Sequence, residues 1–266
     1  DLDGMVDEVR IYNYERTPAQ IAWEYNQGKP AGWWRFDENT GSPSTLSDAS
    51  GNGLDCTATG TMDSTDWVAG KLNSSLDFDG SDDVVSVTNS SPIDLNIGLT
   101  QGFTFATWIY PNTVGETAGR IFQKSTNGST TDSSSTFCRV AGSTPFDIEC
   151  NLDLATSDAV FTVSAAAPAN QWTHVAFSWT NDADDEVTIW INGVPSTSSA
   201  SYDGDTTAEA NSLRVAGNGI TTSNTRAFDG QIDDFRVYSY ELTSQQIKTL
   251  LNEGAAFRIA PVTGTP

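Results

Sequence analysis

The feature that most constrains this chain is a series of short segments in which apolar and polar residues alternate. Residues 103–110, 172–179 and 186–191 each place aromatic or β-branched side chains on one face and mostly smaller or polar ones on the other. Asn192-Gly193 follows the third segment, and this dipeptide is typical of a two-residue hairpin turn. Many short alternating strands with regular turns predict an all-β fold, a two-sheet antiparallel β-sandwich or jelly roll.

The charge balance narrows the classes of partner. The 266 residues carry 13 basic and 35 acidic side chains, which give a formal net charge of −22. Nucleic acids and anionic membrane surfaces bind through Lys and Arg, so we expect neither as a partner. No apolar run approaches the roughly 18 residues of a membrane-spanning helix, so we expect no membrane insertion. The acidity suits a hard cation such as Ca²⁺, or a salty medium.

An internal duplication divides the chain. Residues 2–15 recur as residues 228–241, with identical residues at half of the aligned positions, and the match continues for another dozen residues. Each copy is predicted to be a strand followed by a short helix. The predicted helix caps and helix ends fall at matching positions, Thr17 and Thr243 for the caps and Gly28 and Gly254 for the ends.

The duplication predicts where the domain begins and ends. One jelly-roll domain is expected over residues 29–254, followed by a linker or tail at residues 255–266. Residues 1–28 are then the closing strand and helix of a preceding repeat. In the alternative, residues 1–14 are a strand donated to a neighbouring molecule, because an unpaired strand edge recruits partners.

The three cysteines predict one disulfide. Residues 137–152 have the pattern of a hairpin, and a turn centred near Thr144 places Cys138 opposite Cys150. Cys56 is left over and is predicted to be a small buried side chain. A disulfide agrees with a composition typical of extracellular proteins, and three reduced thiols are the alternative.

Seven motifs along residues 31–254 occur in the order that one family shows. They are Trp-Trp-Arg-Phe-Asp-Glu at 33–38, Asp-Ala-Ser-Gly-Asn-Gly at 48–53, Phe-Asp-Gly-Ser-Asp-Asp-Val-Val at 78–85, Phe-Thr-Phe-Ala-Thr-Trp-Ile at 103–109, Gln-Trp-Thr-His-Val-Ala at 171–176, Ile-Trp-Ile-Asn-Gly at 189–193 and Gly-Gln-Ile-Asp-Asp-Phe-Arg-Val-Tyr at 230–238. Through them the chain resembles the laminin-G-like, concanavalin A-like jelly-roll family. The resemblance implies the fold but no single function, since this family includes lectin-like binders, adhesin repeats, enzyme accessory modules and structural spacers.

The closing segment holds an acid in an unusual place. Strict alternation puts Asp233 on the same face as Phe235 and Val237, which is the expected core face. A carboxylate on a core face has to be paired, hydrogen-bonded or bound to a metal ion. Asp7 holds the same place in the first copy of the duplication.

The family resemblance implies a structural calcium ion between an early turn and this acid. Carried over to this sequence, Asp48 and Asp233 supply side-chain ligands, and Asn52 and Gly53 supply backbone carbonyls. Such a mixture of carboxylate and carbonyl oxygens is what Ca²⁺ prefers. In the alternative without metal, Asp48 forms an Asx turn and Asp233 accepts backbone N–H groups.

The other candidate residues favour structural roles. The acids around Gly80 and those within residues 181–186 are predicted to lie in solvated turns. His174 has no companion metal ligands and is predicted to be a hydrogen-bonded structural residue. Most tryptophans fall inside alternating strands, which favours packing over sugar stacking. A ligand, which the sequence does not identify, is expected on the long loops at 113–136 or 195–211.

These observations lead to a functional expectation. No nucleophile, histidine and carboxylate can be grouped by spacing, and the paired glutamates of sandwich-fold glycosidases are absent, so we expect no enzyme. The chain is expected to be a secreted or cell-surface module that acts in adhesion, as a structural repeat or as a filament subunit, stabilised by calcium. The alternative is a carbohydrate-binding module. The expected partners are neighbouring copies or domains, including strand addition through residues 1–14, with a glycan as a further candidate.

Overall fold

The computed structural model describes residues 3–7, 9–25, 28–87, 102–115, 118–125, 135–154, 158–180, 186–198, 212–218 and 226–252. The helices are α1 (Pro18–Tyr25) and α2 (Ser244–Asn252). The strands are β1 (Gly32–Trp34), β2 (Thr45–Leu46), β3 (Cys56–Thr59), β4 (Trp67–Ala69), β5 (Ser74–Asp79), β6 (Val84–Val87), β7 (Phe103–Pro111), β8 (Arg120–Ser125), β9 (Ser135–Ala141), β10 (Phe146–Leu152), β11 (Ala159–Ala167), β12 (Thr173–Trp179), β13 (Val187–Ile191), β14 (Val194–Thr197), β15 (Leu213–Val215) and β16 (Asp229–Tyr238).

The strands form two antiparallel sheets, which confirms the predicted two-sheet sandwich. The first sheet has the order β14-β13-β12-β7-β16-β5-β4, and β1 also pairs with β16. The second sheet has the order β11-β10-β9-β8-β15-β6-β3-β2. Strands from the two ends of the domain therefore lie side by side, and contacts between residues distant in sequence hold the fold together.

The main apolar core lies between the two sheets. β7 alternates as predicted, with Phe103, Phe105 and Ile109 in the core and Ala106 on the outer face. Phe105 of the first sheet stacks on Phe122 of the second, with ring centroids 4.0 Å apart. Burying side chains of this size stabilises the folded state by about 1.5–3 kcal/mol each, so this layer is the main source of stability.

A smaller apolar cluster lies on the outer face of the first sheet. There Ile247 and Leu250 of α2 pack with Ala106, Ala176 and Trp190 of the strands. The outer face of this sheet is therefore covered at one end by a helix.

Both helices begin with the same reciprocal cap, at the two positions that the duplication predicts. The Thr17 N–H donates to Gln20 Oε1 at 3.1 Å, and the Gln20 N–H donates to Thr17 Oγ1 at 3.3 Å. Thr243 and Gln246 repeat the arrangement at 2.7 and 3.4 Å. Each pair satisfies backbone donors that the first helical turn leaves without partners.

The first copy of the duplication differs from expectation in its strand half. Residues 3–7 and 9–14 form no strand and enter neither sheet, because β16 holds the corresponding position in this domain. The helix half does contact the domain: Trp23 of α1 stacks on Tyr238 of β16, with ring centroids 6.1 Å apart and an interplanar angle of 19°. The assignment of residues 1–28 to another repeat stays a prediction.

The cysteines lie in two separate parts of the second sheet. Cys138 of β9 stands opposite Cys150 of β10, and their sulfur atoms are bonded. Cys56 is a free thiol in the core, where burial raises the pKa of the thiol and keeps it protonated.

Several predicted features lie outside the described residues. They include residues 181–185, parts of the two long loops (116–117, 126–134 and 199–211) and the tail at 255–266. Across the part of the chain that is described, no helix has the length and apolar character needed to cross a membrane.

Replacing Cys138 and Cys150 together by alanine should lower the free energy of unfolding by about 2–3 kcal/mol, because the bond closes a loop between residues 12 positions apart. Chemical denaturation without reductant measures the change. The wild type in reductant should lose a similar amount. A variant as stable as the oxidised wild type would show that the two thiols are not bonded.

Candidate functional site

The first sheet has a gap beside its central strand. One edge of β16 pairs with β5 along residues 229–232, and the same edge pairs with β1 along residues 235–237. Asp233 and Asp234 lie between these two partners. A cavity of about 340 Å³ opens at this point, and we call it the β16 cavity. It is lined by Trp33, Arg35, Asp37, Lys71, Leu72, Asn73, Asp233, Asp234 and Arg236.

A β-bulge turns Asp233 away from the core. The pairing of β16 with β7 shifts register between Asp233 and Arg236, and Asp234 has a positive φ of 56°. The extra residue of a bulge interrupts alternation, so Ile232 and Phe235 both face the core although three positions separate them. Asp233 pairs with Trp108, which belongs to the outer-facing set of β7. The expectation that Asp233 shares the core face with Phe235 is therefore wrong.

Asp233 is fully buried nonetheless, at the floor of the β16 cavity. Its Oδ2 accepts the backbone N–H of Leu72 at 2.8 Å, and its Oδ1 is buried with no hydrogen-bond partner among the described residues. Burial raises the pKa of Asp233 to about 7; the Leu72 hydrogen bond opposes this shift, and the charges of Asp234 and Asp37 add to it. Asp233 therefore exchanges a proton near neutral pH.

Asp234 belongs to a buried network on one wall of the cavity. The indole Nε1–H of Trp33 donates to Asp234 Oδ1 at 2.6 Å, and Arg236 Nη2 lies 2.9 Å from Asp234 Oδ2. The Arg236 guanidinium also lies over the Trp33 ring, 4.3 Å from its centroid. These contacts hold the Trp33 ring in place and compensate the charge of Asp234. Asp234 therefore has a structural role in the cavity wall.

The mouth of the cavity is polar and accessible. Asp37 forms an ion pair with Arg35 at 2.8 Å and accepts a hydrogen bond from Asn73 Nδ2 at 3.2 Å. Lys71 is exposed, and its Nζ lies 4.6 Å from the ring centroid of Trp108. The mouth therefore presents hydrogen-bond donors and acceptors beside the half-buried Trp33 ring.

The predicted calcium ligand Asp48 is already engaged. Its oxygens accept the backbone N–H groups of Trp33 (3.1 Å), Ser50 (2.8 Å) and Leu54 (3.0 Å), and the Ser50 hydroxyl at 2.7 Å. Burial opposes ionisation of Asp48, but the bonds from Ser50, Leu54 and Trp33 outweigh it and lower the pKa. This is the arrangement of the alternative without metal, in which Asp48 organises the turn.

The four predicted calcium ligands are divided between two places. Asn52 belongs with Asp48, and its Nδ2 donates to the Ala31 carbonyl at 2.8 Å. Gly53 lies in the same turn with a φ of 72°. Within the described residues, the cavity that holds Asp233 is lined by none of the other three. The calcium assignment stays a prediction, and Asp233 is the member with a carboxylate oxygen to spare.

Three neighbouring residues on the outer face of the first sheet have buried polar atoms that form no hydrogen bond within the described part of the chain. They are Asp233 Oδ1, Trp108 Nε1 and His174 Nδ1, on the adjacent strands β16, β7 and β12. Burial lowers the pKa of His174 to about 3, with a further contribution from Arg236, so the ring is neutral. His174 is buried, as expected, but its Nδ1 lacks the predicted hydrogen bond within the described residues. Polar atoms left without partners are the exception in folded proteins and mark a place for water or a ligand.

The acidic turn between β5 and β6 is less solvated than expected. Ligand atoms of Asp79, Asp82 and Asp83 lie within 4.8 Å of one another. Asp83 is buried and accepts the backbone N–H groups of Thr61 at 3.1 Å and Asp79 at 3.2 Å. Burial raises the pKa of Asp83 to about 6, against the effect of the Asp79 bond. The carboxylate ties two turns together.

Sequence reasoning missed most residues of the cavity. Asp37 lies in a motif that was identified, yet its meeting with Asp233 depends on the bulge. Lys71, Leu72 and Asn73 lie between β4 and β5 and carry no motif. Their one available signal is the Gly70 that precedes them, where an added Cβ would lie 2.7 Å from Asp233 Oδ2 and 2.5 Å from the Ser74 carbonyl oxygen.

The chain belongs to the Concanavalin A-like lectin/glucanases superfamily. The profile of that family matches residues 79–248, which is more than half of the chain. This match confirms the resemblance noted from the motifs. No curated protein matches the chain significantly in sequence.

Solved structures with the same fold have different functions. Domain 4 of AbnA, a GH43 extracellular arabinanase from Geobacillus stearothermophilus, was solved in complex with arabinotriose; it is 20% identical, with a TM-score of 0.56 over 84% of this chain and 98% of that domain. The receptor-binding domain of a botulinum neurotoxin mosaic serotype C/D is 17% identical, with a TM-score of 0.60 over 86% of this chain and 52% of that one. The binding domain of Paraclostridial Mosquitocidal Protein 1 is 12% identical, with a TM-score of 0.59 over 86% and 53%. The chain thus spans about half of each toxin domain, and at these identities the likeness shows the fold.

Asp233 should make the wild type lose stability relative to Asp233→Asn as pH rises from about 4 to about 7 in chelated, metal-free buffer; His174, whose pKa burial lowers to about 3, acts in the opposite direction in both proteins. Over that range an unfolded Asp233, with a pKa near the ordinary 3.8, releases a proton that the folded chain retains up to about pH 7. Asp233→Asn should remove this contribution, so that its stability relative to the wild type is about 4 kcal/mol greater at pH 8 than at pH 4. Thermal unfolding at both pH values measures it. Equal pH profiles for the two proteins would contradict the assignment.

Proposed function

We propose that this chain is a non-catalytic carbohydrate-recognition module of a secreted protein, with the β16 cavity as its binding site. The observation that carries the proposal is the cavity itself, which combines a half-buried Trp33, charged and amide groups at its mouth and a buried, partnerless oxygen at its floor. Binding pockets are typically concave, with a few placed polar groups that orient the ligand. The arabinotriose held by AbnA domain 4 and the receptor-binding role named for the toxin domain support recognition as the function of this fold.

Sugars match the mouth of the cavity because each hydroxyl both donates and accepts. Asp37 Oδ1 accepts the Ser74 N–H at 3.2 Å and has a second lone pair for one ligand hydroxyl, while Arg35, Lys71 and the Asn73 amide donate. Trp33 supplies an aromatic surface for the C–H face of a pyranose or furanose ring. Charge-assisted hydrogen bonds of this kind are stronger than neutral ones and give orientation as well as affinity.

The floor of the cavity adds a site for one buried hydroxyl. Asp233 Oδ1 is desolvated and has no hydrogen-bond partner among the described residues, so a hydrogen bond to it from a ligand hydroxyl would offset the cost of its burial. Above pH 7 the carboxylate accepts from the hydroxyl, and below pH 7 the protonated carboxyl donates to it. Recognition at the floor therefore operates on both sides of neutrality.

The same carboxylates are poorly placed for catalysis. Glycosidases pair a protonated carboxyl with a free, ionised one on the two sides of the scissile bond. Here Asp37 is ion-paired with Arg35 and Asp234 with Arg236, so neither is free to attack or to activate water. A binding role fits the arrangement better than hydrolysis.

Binding to a panel of neutral and acidic oligosaccharides, arabino-oligosaccharides included, tests the proposal. Lys71→Ala and Asp37→Asn should each weaken the affinity for the best binder about tenfold or more, because each removes a charge-assisted hydrogen bond. Isothermal titration calorimetry measures the affinities, and reducing-sugar release is assayed in parallel.

Two exposed residues that do not line the cavity serve as matched controls. Lys248→Ala and Glu186→Gln make the same charge changes on exposed side chains and should leave the affinity unchanged. Equal losses for control and cavity variants, or no binding to any glycan, would refute the site. Release of reducing sugar would refute a non-catalytic role.

A role in adhesion, as a structural repeat or as a filament subunit stays a second proposal. It rests on the exposed apolar side chains of the N-terminal segment, among them Met5, Val9 and Ile11. Exposed apolar residues arranged in one segment are typical of an interaction surface. The disulfide and the acidic surface suit secretion, which is likewise a proposal.

Calcium is a separate proposal that rests on Asp233. The β16 cavity collects three carboxylates, and the pKa of Asp233 is raised by burial and by the charges of Asp234 and Asp37, so a cation would relieve their repulsion. The residue fits a cation through Oδ1, whereas Asp48 would first have to lose its N–H donors. Any ion bound at Asp233 has to compete with Lys71, Arg35 and Arg236.

Adding millimolar calcium to the metal-free protein at pH 8 should raise the melting temperature, because bound calcium compensates the ionised Asp233. Asp233→Asn should abolish the rise. Differential scanning calorimetry measures both proteins, with magnesium as the control ion. An unchanged wild-type melting temperature would contradict calcium binding.

A further inference from the structure

The apolar positions of β16 carry an irregular spacing that comes from its bulge. Ile232, Phe235 and Val237 are all fully buried in the core. The first two are three positions apart and the last two are two apart, because the bulge inserts one residue between Asp233 and Arg236. A strand that belongs at this position in the fold therefore has a pattern that regular alternation does not produce.

The N-terminal segment has the same irregular pattern, and its side chains are exposed. Val6, Val9 and Ile11 repeat the spacing of three and then two. Their exposed fractions are 62%, 73% and 93%, whereas the corresponding residues of β16 are 0% exposed. The segment therefore has the apolar spacing of a bulged closing strand, but its apolar side chains are not buried in this structure.

The polar positions of the segment also match the wall of the β16 cavity. In β16, Asp233 forms the floor, Arg236 holds the Trp33 ring, and Tyr238 lies under α1. These three positions are identical in the first copy, as Asp7, Arg10 and Tyr12. The first copy therefore matches β16 also at the three polar or aromatic positions that have specific contacts in this domain.

Two opposite faces of helix α1 differ in burial. Trp23 packs against the outer apolar cluster of this domain. Ile21 is two residues away, about 200° around the helix axis, and is 56% exposed. Its counterpart in α2 is Ile247, which is fully buried against its own domain. The Trp23 face of α1 thus packs on this domain. The Ile21 face, which corresponds to the buried face of α2, is exposed.

We infer that residues 3–14 are the closing strand of a second jelly-roll domain of the same kind, one in which no other strand fills the closing position. The strand enters the first sheet of that domain between the equivalents of β7 and of β1 and β5, with Val6, Val9 and Ile11 in its core. Helix α1 then lies between the two domains, with Ile21 against the acceptor and Trp23 against this one.

A second copy of this chain is not the acceptor. Its closing-strand position is already filled by β16, which is hydrogen-bonded on both edges. The acceptor is therefore a domain in which no other strand fills this position. On its own the chain should be monomeric in light scattering, and a concentration-dependent dimer that Val9→Asp disrupts would overturn this choice of acceptor.

A strand exchange within the full chain tests whether the segment encodes a closing strand. Residues 228–241 are replaced by residues 2–15, so that the first copy has to close the domain. The chimera should unfold cooperatively, with a melting temperature within about 15 °C of the native chain, since half of the exchanged positions are identical.

Two further variants make the result decisive. The same chimera with Val6→Asp and Ile11→Asp in the transplanted segment should lose cooperative unfolding, while these substitutions in the native N-terminal segment should leave the melting temperature unchanged. If the chimera unfolds because valine replaces the bulky Phe235, Val9→Phe in the transplanted segment should restore cooperativity. Failure of both chimeras, or equal stability with and without the aspartates, would overturn the inference.

Discussion

The hydrogen bonding of β16 on both edges is the interaction on which the rest of this structure depends. Its partners are β7 on one side and β5 and β1 on the other, so a strand near the end of the chain joins segments from its beginning and middle. Its inward side chains include Phe235, which lies 6.0 Å from Trp34 and 6.0 Å from Phe122 between ring centroids. Loss of this strand would separate β7 from β5 and β1 and would also expose the main apolar core to solvent.

The β16 cavity follows directly from this arrangement. Because β5 and β1 share one edge of β16, neither covers the two residues between them, and the bulge turns Asp233 into that opening. The Leu72 N–H and the Trp33 indole then bond to the two aspartates in place of a neighbouring strand. A single extra residue in one strand thereby converts a regular sheet into a lined recess with a buried acid.

The sequence predicted what depends on local pattern and missed what depends on a change of register. Alternation identified β7, β12 and β13, and the hairpin pattern placed Cys138 opposite Cys150. Alternation gave the wrong face for Asp233, because a bulge leaves no local signal as plain as a glycine or a proline at that position. The contact of Leu72 with Asp233 spans 161 positions, and no spacing rule for neighbouring residues reaches that far. For Asp48 the residue type allowed a metal ligand or a turn acceptor, and the sequence could not show that N–H groups of Trp33, Ser50 and Leu54 all point at its carboxylate.

The late arrival of β16 has a consequence for synthesis of the chain. Until residues 229–238 have left the ribosome, the edges of β7, β5 and β1 that pair with β16 are without this partner. Residues 3–14 are synthesised earlier and have a similar apolar spacing. In a chain whose N-terminal segment has no acceptor domain, the shared spacing lets either segment begin to fill this position during folding. Phe235 against Val9 decides between them, since the ring fills space among Trp34, Phe105 and Phe122 that valine leaves empty. The larger side chain at this core position therefore favours β16 over the N-terminal segment as the closing strand of this domain.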